Sequence, residues 1–436
     1  MRLFALVCAL FIMVQPLEAK SNKIGVLWTS WDTNHFQNYD NYISRLQSWG
    51  INYVSLNPTY FIDTYEDGIT TQLWGRGITP NPKLQKSVVK ELIRRGFEIN
   101  FRPHIDPIKY AMPLGESRDS WDTDPGGRDW RGKFDRFDPM NPNLNYLGKV
   151  IQPSLDLIAE AIREAGVPAN PIRFDIGAEL MDSMLYYPES WVTLLKTVRE
   201  RLKTDYPDVA DHITLSYNFC HHIGILLRLD GHEDYLRRIV PDQKIDAEQQ
   251  YLDRPNVGRD TKSQIASFIV GLDELSISQY LPLDIYNTTD DAKTTTPQQV
   301  SQALLHHERN FIDEVLVNEL GIDRKDIPTL HIGEYGMGWR GLVAPNVWDV
   351  DDWVNKGAGH LILNDVDQKK HASIAIDGVI DYVNQSPQFK SFLLWLGGEP
   401  YDVLNLNPYS NWYNPQAANS LRDYWKPKLI PKNNLR

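Results

Sequence analysis

The chain has 436 residues and a formal net charge of −12, and 42% of its residues are hydrophobic, ample material for a core. An acidic chain with a pI near 5.4 argues against a nucleic-acid partner, whose phosphates would repel it. With no cysteines except Cys8 and Cys220, a disulfide framework is excluded once the first of them is removed with the N-terminal segment described next.

That segment reads as a secretory signal. Arg2 supplies the positive start, residues 3–14 are apolar, and Gln15-Pro16-Leu17-Glu18-Ala19 form a polar exit ending in a small residue. Cleavage after Ala19 is expected, giving a signal peptide over 1–19 and a secreted or periplasmic protein. The apolar stretch is too short to span a bilayer, so no membrane association of the mature form is expected; a retained N-terminal anchor is the rival reading. A single domain is expected over 22–436, as a monomer.

Strand-like runs then alternate with helical patterns. The strand candidates begin at Lys23 (KIGVLWTS), Ile51 (INYVSLN), Phe97 (FEINFRPH), Pro171 (PIRFDIGAE), His212 (HITLSYNF), Leu272 (LDELSISQY), Pro328 (PTLHIGEYG) and Phe389 (FKSFLLWLGG). Between them, helical patterns run over Leu84 to Arg95, Leu147 to Glu164, Glu189 to Lys203 and Pro297 to Leu320. Gly96, Gly166 and Gly321 stand where helix C-caps are expected. Alternation of strand and helix predicts a parallel sheet, and eight repeats predict its closure: an α/β chain forming a single (β/α)8 TIM barrel with long βα loops. The stretches 106–145 and 221–271 are long loops of this kind. The first is rich in Asp and carries Trp121 and Trp130, but it lacks the spacing of a calcium loop.

Side chains alternate between the faces of a strand. Asn100, Arg102 and His104 share one face, as do Arg173, Asp175, Gly177 and Glu179; Thr214, Ser216 and Asn218; and Ser276, Ser278 and Tyr280. This polar stripe is assigned to the barrel interior and the apolar stripe to the helix layer. Glu334 breaks the pattern by sharing parity with Leu330 and Ile332, so a bulge or strand end near Gly333 is required to turn it inward.

Two glutamates carry the chemistry. Glu179 closes the fourth strand candidate and Glu334 the seventh, 155 positions apart. A carboxylate at the C-terminal end of a barrel strand has no packing role, and that end is where such barrels place their active sites. Paired carboxylates are the equipment for cleaving a glycosidic bond, at about 5–5.5 Å apart in a retaining mechanism. The bland alternative makes one of them a structural ion-pair partner of Arg173 or Arg102.

In Ile176-Gly177-Ala178-Glu179-Leu180, Ile332-Gly333-Glu334-Tyr335-Gly336 and Leu393-Leu394-Trp395 the chain resembles the clan A glycoside hydrolases. Among them it looks most like family 113, the bacterial β-mannanases, on the Gly-x-Glu-Leu pattern. The resemblance implies Glu179 as general acid/base, Glu334 as nucleophile, Trp395 as the floor under the sugar at the cleavage point and Tyr280 as hydrogen-bond partner of the nucleophile. It departs from many clan members at Ala178, where they have an Asn that binds the sugar 2-hydroxyl. Asn218, His104 and Arg102, on the same polar face, are candidates to replace that contact. Trp28 is a further sugar-binding candidate, because its strand position points it toward the mouth. The remaining tryptophans read first as packing residues, although most lie near strand ends or in loops, where flat rings suit stacking on sugars.

Other chemistries lack their signatures. His221-His222 and His306-His307 are adjacent pairs that cannot easily share one ion, and no H-E-x-x-H, phosphate loop or Gly-x-Ser-x-Gly is present. No metal and no cofactor is expected. Glu399 and Asp402 read as a polar loop, with substrate contact the alternative. The expected partner is a β-linked polysaccharide or oligosaccharide, β-mannan or glucomannan first, and the reaction is hydrolysis with retention. The rivals are a non-catalytic carbohydrate-binding barrel, a transglycosidase using the same glutamates, and a metal-dependent hydrolase or isomerase, for which His104 and Asp106 supply too few ligands.

Overall fold

The computed structural model describes residues 24–30, 34–62, 64–66, 68–70, 81–107, 131, 134, 136–220, 259–279, 295–335, 365–395, 404 and 413–426. The signal segment, Tyr280, residues 119–129 of the Asp-rich loop, the His221-His222 pair, Glu399 and Asp402 lie outside the described residues.

Among the described residues ten strands form one sheet: β1 (Ile24–Ser30), β2 (Tyr53–Ile62), β3 (Ile69–Thr70), β4 (Glu98–Phe101), β5 (His104–Pro107), β6 (Ile172–Ala178), β7 (Ile213–Cys220), β8 (Glu274–Gln279), β9 (Thr329–Tyr335) and β10 (Phe389–Trp395). β1 pairs in parallel with β2 on one side and with β10 on the other, so the sheet closes on itself. The staves run β1, β2, β4, β6, β7, β8, β9, β10, all parallel. β5 continues the path of β4 along the upper half of β2, and β3 is a short antiparallel flap on the end of β2. This is a closed eight-stranded (β/α)8 barrel.

Helices lie between the staves, and local sequence sets their ends. Pro82, Pro188, Pro297 and Pro415 open helices at positions whose N–H has no intrahelical partner. Asn81 caps Pro82–Arg94 by accepting from the Lys83 N–H at 2.9 Å, and Thr296 with Gln299 makes a reciprocal capping box on Pro297–Asn310. The three glycines expected as caps, Gly96, Gly166 and Gly321, all have positive φ. Among the described residues no helix is long and apolar enough to cross a membrane.

The outward stripe of each stave meets these helices in a continuous apolar layer. Val54, Leu56, Ile99, Phe101, Phe174, Leu215, Leu275 and Ile332 are all 4% exposed or less. Trp191, from Pro188–Asp205, is fully buried edge-on to Tyr217 at 5.3 Å between ring centroids. Trp28 belongs to this layer. It stacks on Tyr42 at 4.2 Å and meets Phe36 edge-on at 5.0 Å, sharing the outward parity of Ile24 and Val26.

The interior is polar for most of its height. At the base, Arg173 donates to Glu274 (3.2 Å), to Asn100 Oδ1 (3.0 Å) and to the Tyr53 hydroxyl. His331 places Nε2 2.8 Å from Glu274 and Nδ1 2.6 Å from Ser391 Oγ, which is 3.2 Å from Tyr53 Oη. Six staves thus join one ring of polar groups. Burial pushes the Glu274 carboxyl up, but the His331 hydrogen bond and the Arg173 charge outweigh it and bring its pKa to about 2. Burial, then Arg173, lowers His331 to about 4.

Candidate active site

Above the base ring, Asn100 donates to Ser55 Oγ (2.9 Å) and to Asp175 Oδ2 (3.0 Å). Arg102, fully buried, donates from Nε to the same Asp175 oxygen at 2.5 Å and from Nη1 to the Gly333 carbonyl at 2.6 Å. An unpaired buried guanidinium would be very costly, and these two acceptors hold it in one orientation.

Both glutamates owe their aim to irregular backbone. On β9, Ile332 pairs with Ile277 and Glu334 with Ser278, so Gly333 is an extra residue that resets the alternation. The bulge required near Gly333 is present. Glu334 joins the inward face beside Ser278, 1% exposed, with Oε2 3.9 Å from Arg102 Nη1. Only glycine fits at 333: a Cβ there would lie 2.5 Å from Arg102 Nη2, 2.7 Å from Ser276 Cβ, and closer still to Asn218 Oδ1.

A second bulge on β6 was not anticipated. Asp175 pairs with Ser216 and Ala178 with Asn218, three steps against two. Gly177 therefore turns outward, where a Cβ would meet the rings of Tyr217 at 2.5 Å and Trp191 at 2.9 Å. This corrects the shared face of Asp175, Gly177 and Glu179 read from parity alone. Glu179 follows the strand with φ +58°, a left-handed conformation rare for a residue with a side chain. Its N–H donates to the Asn218 carbonyl at 2.7 Å, and the next N–H, of Leu180, donates to the Tyr217 hydroxyl at 3.2 Å. The Glu179 side chain is nearly buried, with Oε2 3.7 Å from Arg131 Nη2.

Among the sequence candidates, Glu179, Glu334, Arg102, His104 and Asn218 converge on the C-terminal end of the staves. Asn218 donates to Ser278 Oγ at 2.8 Å and faces the Gly333 bulge. Trp395, partly exposed, packs on the small inward apolar cluster of Leu27, Tyr53 and Leu393. Trp28 is not brought to this site, because it packs on the far side of β1. Tyr280 lies outside the described residues.

Arg131 was missed. It contacts Asp106 Oδ1 at 3.0 Å and His104 Nδ1 at 2.9 Å as well as Glu179. The sequence around it carries no strand or helix periodicity to mark it. His104 Nε2 lies 3.1 Å from Asn57 Nδ2, so both ring nitrogens face protein groups. Burial first, then the charges of Arg131 and Arg102, hold the His104 pKa well below the ordinary value, and the ring is neutral. Among the described residues no group of three His, Cys, Asp or Glu is placed to hold a metal ion.

No protein-family profile and no curated protein sequence matches this chain. Solved structures do. A glycoside hydrolase family 113 β-mannanase from Alicyclobacillus acidocaldarius is 14% identical, with 92% of this chain and 96% of that one covered and a TM-score of 0.48. A family 113 β-1,4-mannanase is likewise 14% identical, covering 93% and 99% at a TM-score of 0.47. The family 53 catalytic domain of Ignisphaera aggregans is 15% identical, covering 94% and 97% at a TM-score of 0.42.

Proposed function

We propose that this chain is a retaining glycoside hydrolase of clan A type that cleaves a β-linked polysaccharide or oligosaccharide, with β-mannan or glucomannan the first substrate to try. One observation carries the reading. Two buried glutamates end the fourth and seventh staves, and a bulge on each strand turns them into the same mouth. A barrel needs neither irregularity for packing, and both place a carboxylate where substrate enters.

In this mechanism Glu334 attacks the anomeric carbon while Glu179 protonates the departing oxygen. Glu179 then takes a proton from the water that releases the sugar from Glu334. Arg102 stands 3.9 Å from the Glu334 carboxylate, and Asp175 with the Gly333 carbonyl holds Arg102 in place. In this reading Trp395, which packs on Leu27, Tyr53 and Leu393, underlies the sugar. The proposal includes export after loss of residues 1–19, action as a monomer, and no cofactor.

The test is release of reducing sugar from a panel of soluble β-glycans by wild type, Glu179→Ala and Glu334→Ala, with folding checked by circular dichroism. Activity is expected to fall about 10²–10⁴-fold or more in each variant. Full activity in either variant removes that residue from the mechanism. Binding without turnover by the wild type across the panel replaces the enzyme with a carbohydrate-binding barrel.

A further inference from the structure

The mouth contains a matched arrangement that the two-glutamate mechanism does not use. Each glutamate has a guanidinium just beyond hydrogen-bond range, Arg102 at 3.9 Å from Glu334 and Arg131 at 3.7 Å from Glu179. Each guanidinium is anchored by a different carboxylate, Asp175 for Arg102 and Asp106 for Arg131. Arg102 directly follows β4, whereas Arg131 reaches the barrel from the connection between β5 and the helix Gln152–Ala165.

We infer that Arg131 is a positioning residue for Glu179, oriented by His104 and Asp106; this rests on the reading of Glu179 as the acid/base.

The geometry supports it in three ways. First, arginine only donates, so the contact to His104 Nδ1 requires that nitrogen's lone pair to face Arg131. A neutral, fully buried His104 ring protonated on Nε2 meets that requirement and fixes one edge of the guanidinium, with the Asn57 amide turned so that its oxygen accepts from that N–H. Asp106, on the same short strand, forms an ion pair with Arg131 at 3.0 Å and holds another edge by charge. Second, both anchors are independent of Glu179. Arg131 therefore keeps its place while Glu179 alternates between its protonated and ionised forms, as an acid/base must. Third, 3.7 Å is too long for a direct hydrogen bond. Arg131 attracts the carboxyl without occupying the oxygen that exchanges the proton, and with both side chains nearly buried the attraction is weakly screened.

The backbone makes this contact consequential. Two hydrogen bonds and a left-handed φ fix the Glu179 main chain, but the side chain still has three rotatable bonds. Among the described residues Arg131 is the cation within 4 Å of its carboxyl.

Leaving-group dependence tests the proposal. Wild type, Arg131→Met, Arg131→Lys and Glu179→Ala are assayed on β-1,4-mannotetraose, whose leaving group needs protonation, and on 2,4-dinitrophenyl β-mannobioside, whose leaving group does not. Arg131→Met is expected to lose about 10²-fold in kcat/KM on the first and to stay within about threefold of wild type on the second. Glu179→Ala should show the same contrast, and Arg131→Lys should recover part of the loss. An equal loss on both substrates, or none on either, overturns the inference.

If Glu179→Ala shows no such contrast, or the wild type turns over neither probe, the reading of Glu179 as acid/base fails, and crystal structures of wild type and Arg131→Met decide the positioning claim. A Glu179 carboxyl displaced by more than about 1 Å supports it, and one within about 0.5 Å of its place overturns it.

Discussion

His307 gives a prediction whose size follows from its surroundings. It sits on Pro297–Asn310, 5% exposed, with Nδ1 2.9 Å from Gln279 Nε2. Burial, and secondly the neighbouring His306, lower its pKa from 6.5 to about 3. A group whose pKa is depressed on folding contributes stability that is complete above its unfolded value and is lost as pH falls toward the folded one. The window is therefore pH 6.5 down to about 3. At pH 5 the unfolded histidine is mostly protonated while the folded one is still neutral, which removes about 2 kcal/mol of the stability present at pH 8. Urea unfolding followed by tryptophan fluorescence at pH 8 and pH 5 measures this in wild type and His307→Gln. The variant should lose about 2 kcal/mol less between the two pH values, whatever its absolute stability. An identical loss in both proteins would refute the reasoning.

Two further outcomes are expected. Gly333→Ala should cost about 2 kcal/mol or more from overpacking against Arg102, Ser276 and Asn218, and the folded fraction should lose activity on the most responsive glycan of the panel; wild-type turnover would show that the bulge does not set the aim of Glu334. Glu274→Gln leaves Arg173 at the barrel base without its carboxylate and should cost about 3 kcal/mol, read as a lowered unfolding midpoint in a thermal melt. An unchanged midpoint would mean that the base ring contributes little.

The staves were legible because each is a short apolar run bounded by turn residues. Every predicted strand has a counterpart, displaced at its ends by a few residues; the largest difference is the extension of β2 to Ile62 and the break between Phe101 and His104. The polar interior was legible from parity wherever a strand keeps its alternation, as in Asn100 and Arg102 or Ser276 and Ser278. Parity failed at the bulges of β6 and β9. At Gly333 the conflict showed in the sequence, because Glu334 shared a face with Leu330 and Ile332. At Gly177 nothing conflicted: glycine is silent about which face it occupies, and the shift appears only in the pairing with β7. Trp28 was misdirected for a different reason. A tryptophan at a strand end fits either face equally well in sequence, and Phe36 and Tyr42, which hold it outward, lie on the following helices. Arg131 had no signal, since its three partners are fixed by the barrel and not by spacing.

The base ring bears on how the chain reaches its native state. Its members are spread from Tyr53 to Ser391, and the staves that close the barrel, β1 and β10, are the first and last in sequence. An Arg173 emerging during synthesis meets Tyr53 early but must wait for Glu274, and that carboxylate waits for His331. A barrel truncated before β10 would also leave β1 and β9 as open edges over a lumen of charged groups. Half-barrels of this chain are consequently poor independent units, and docking of the last stave converts a loosely held array of βα units into a single cooperative body.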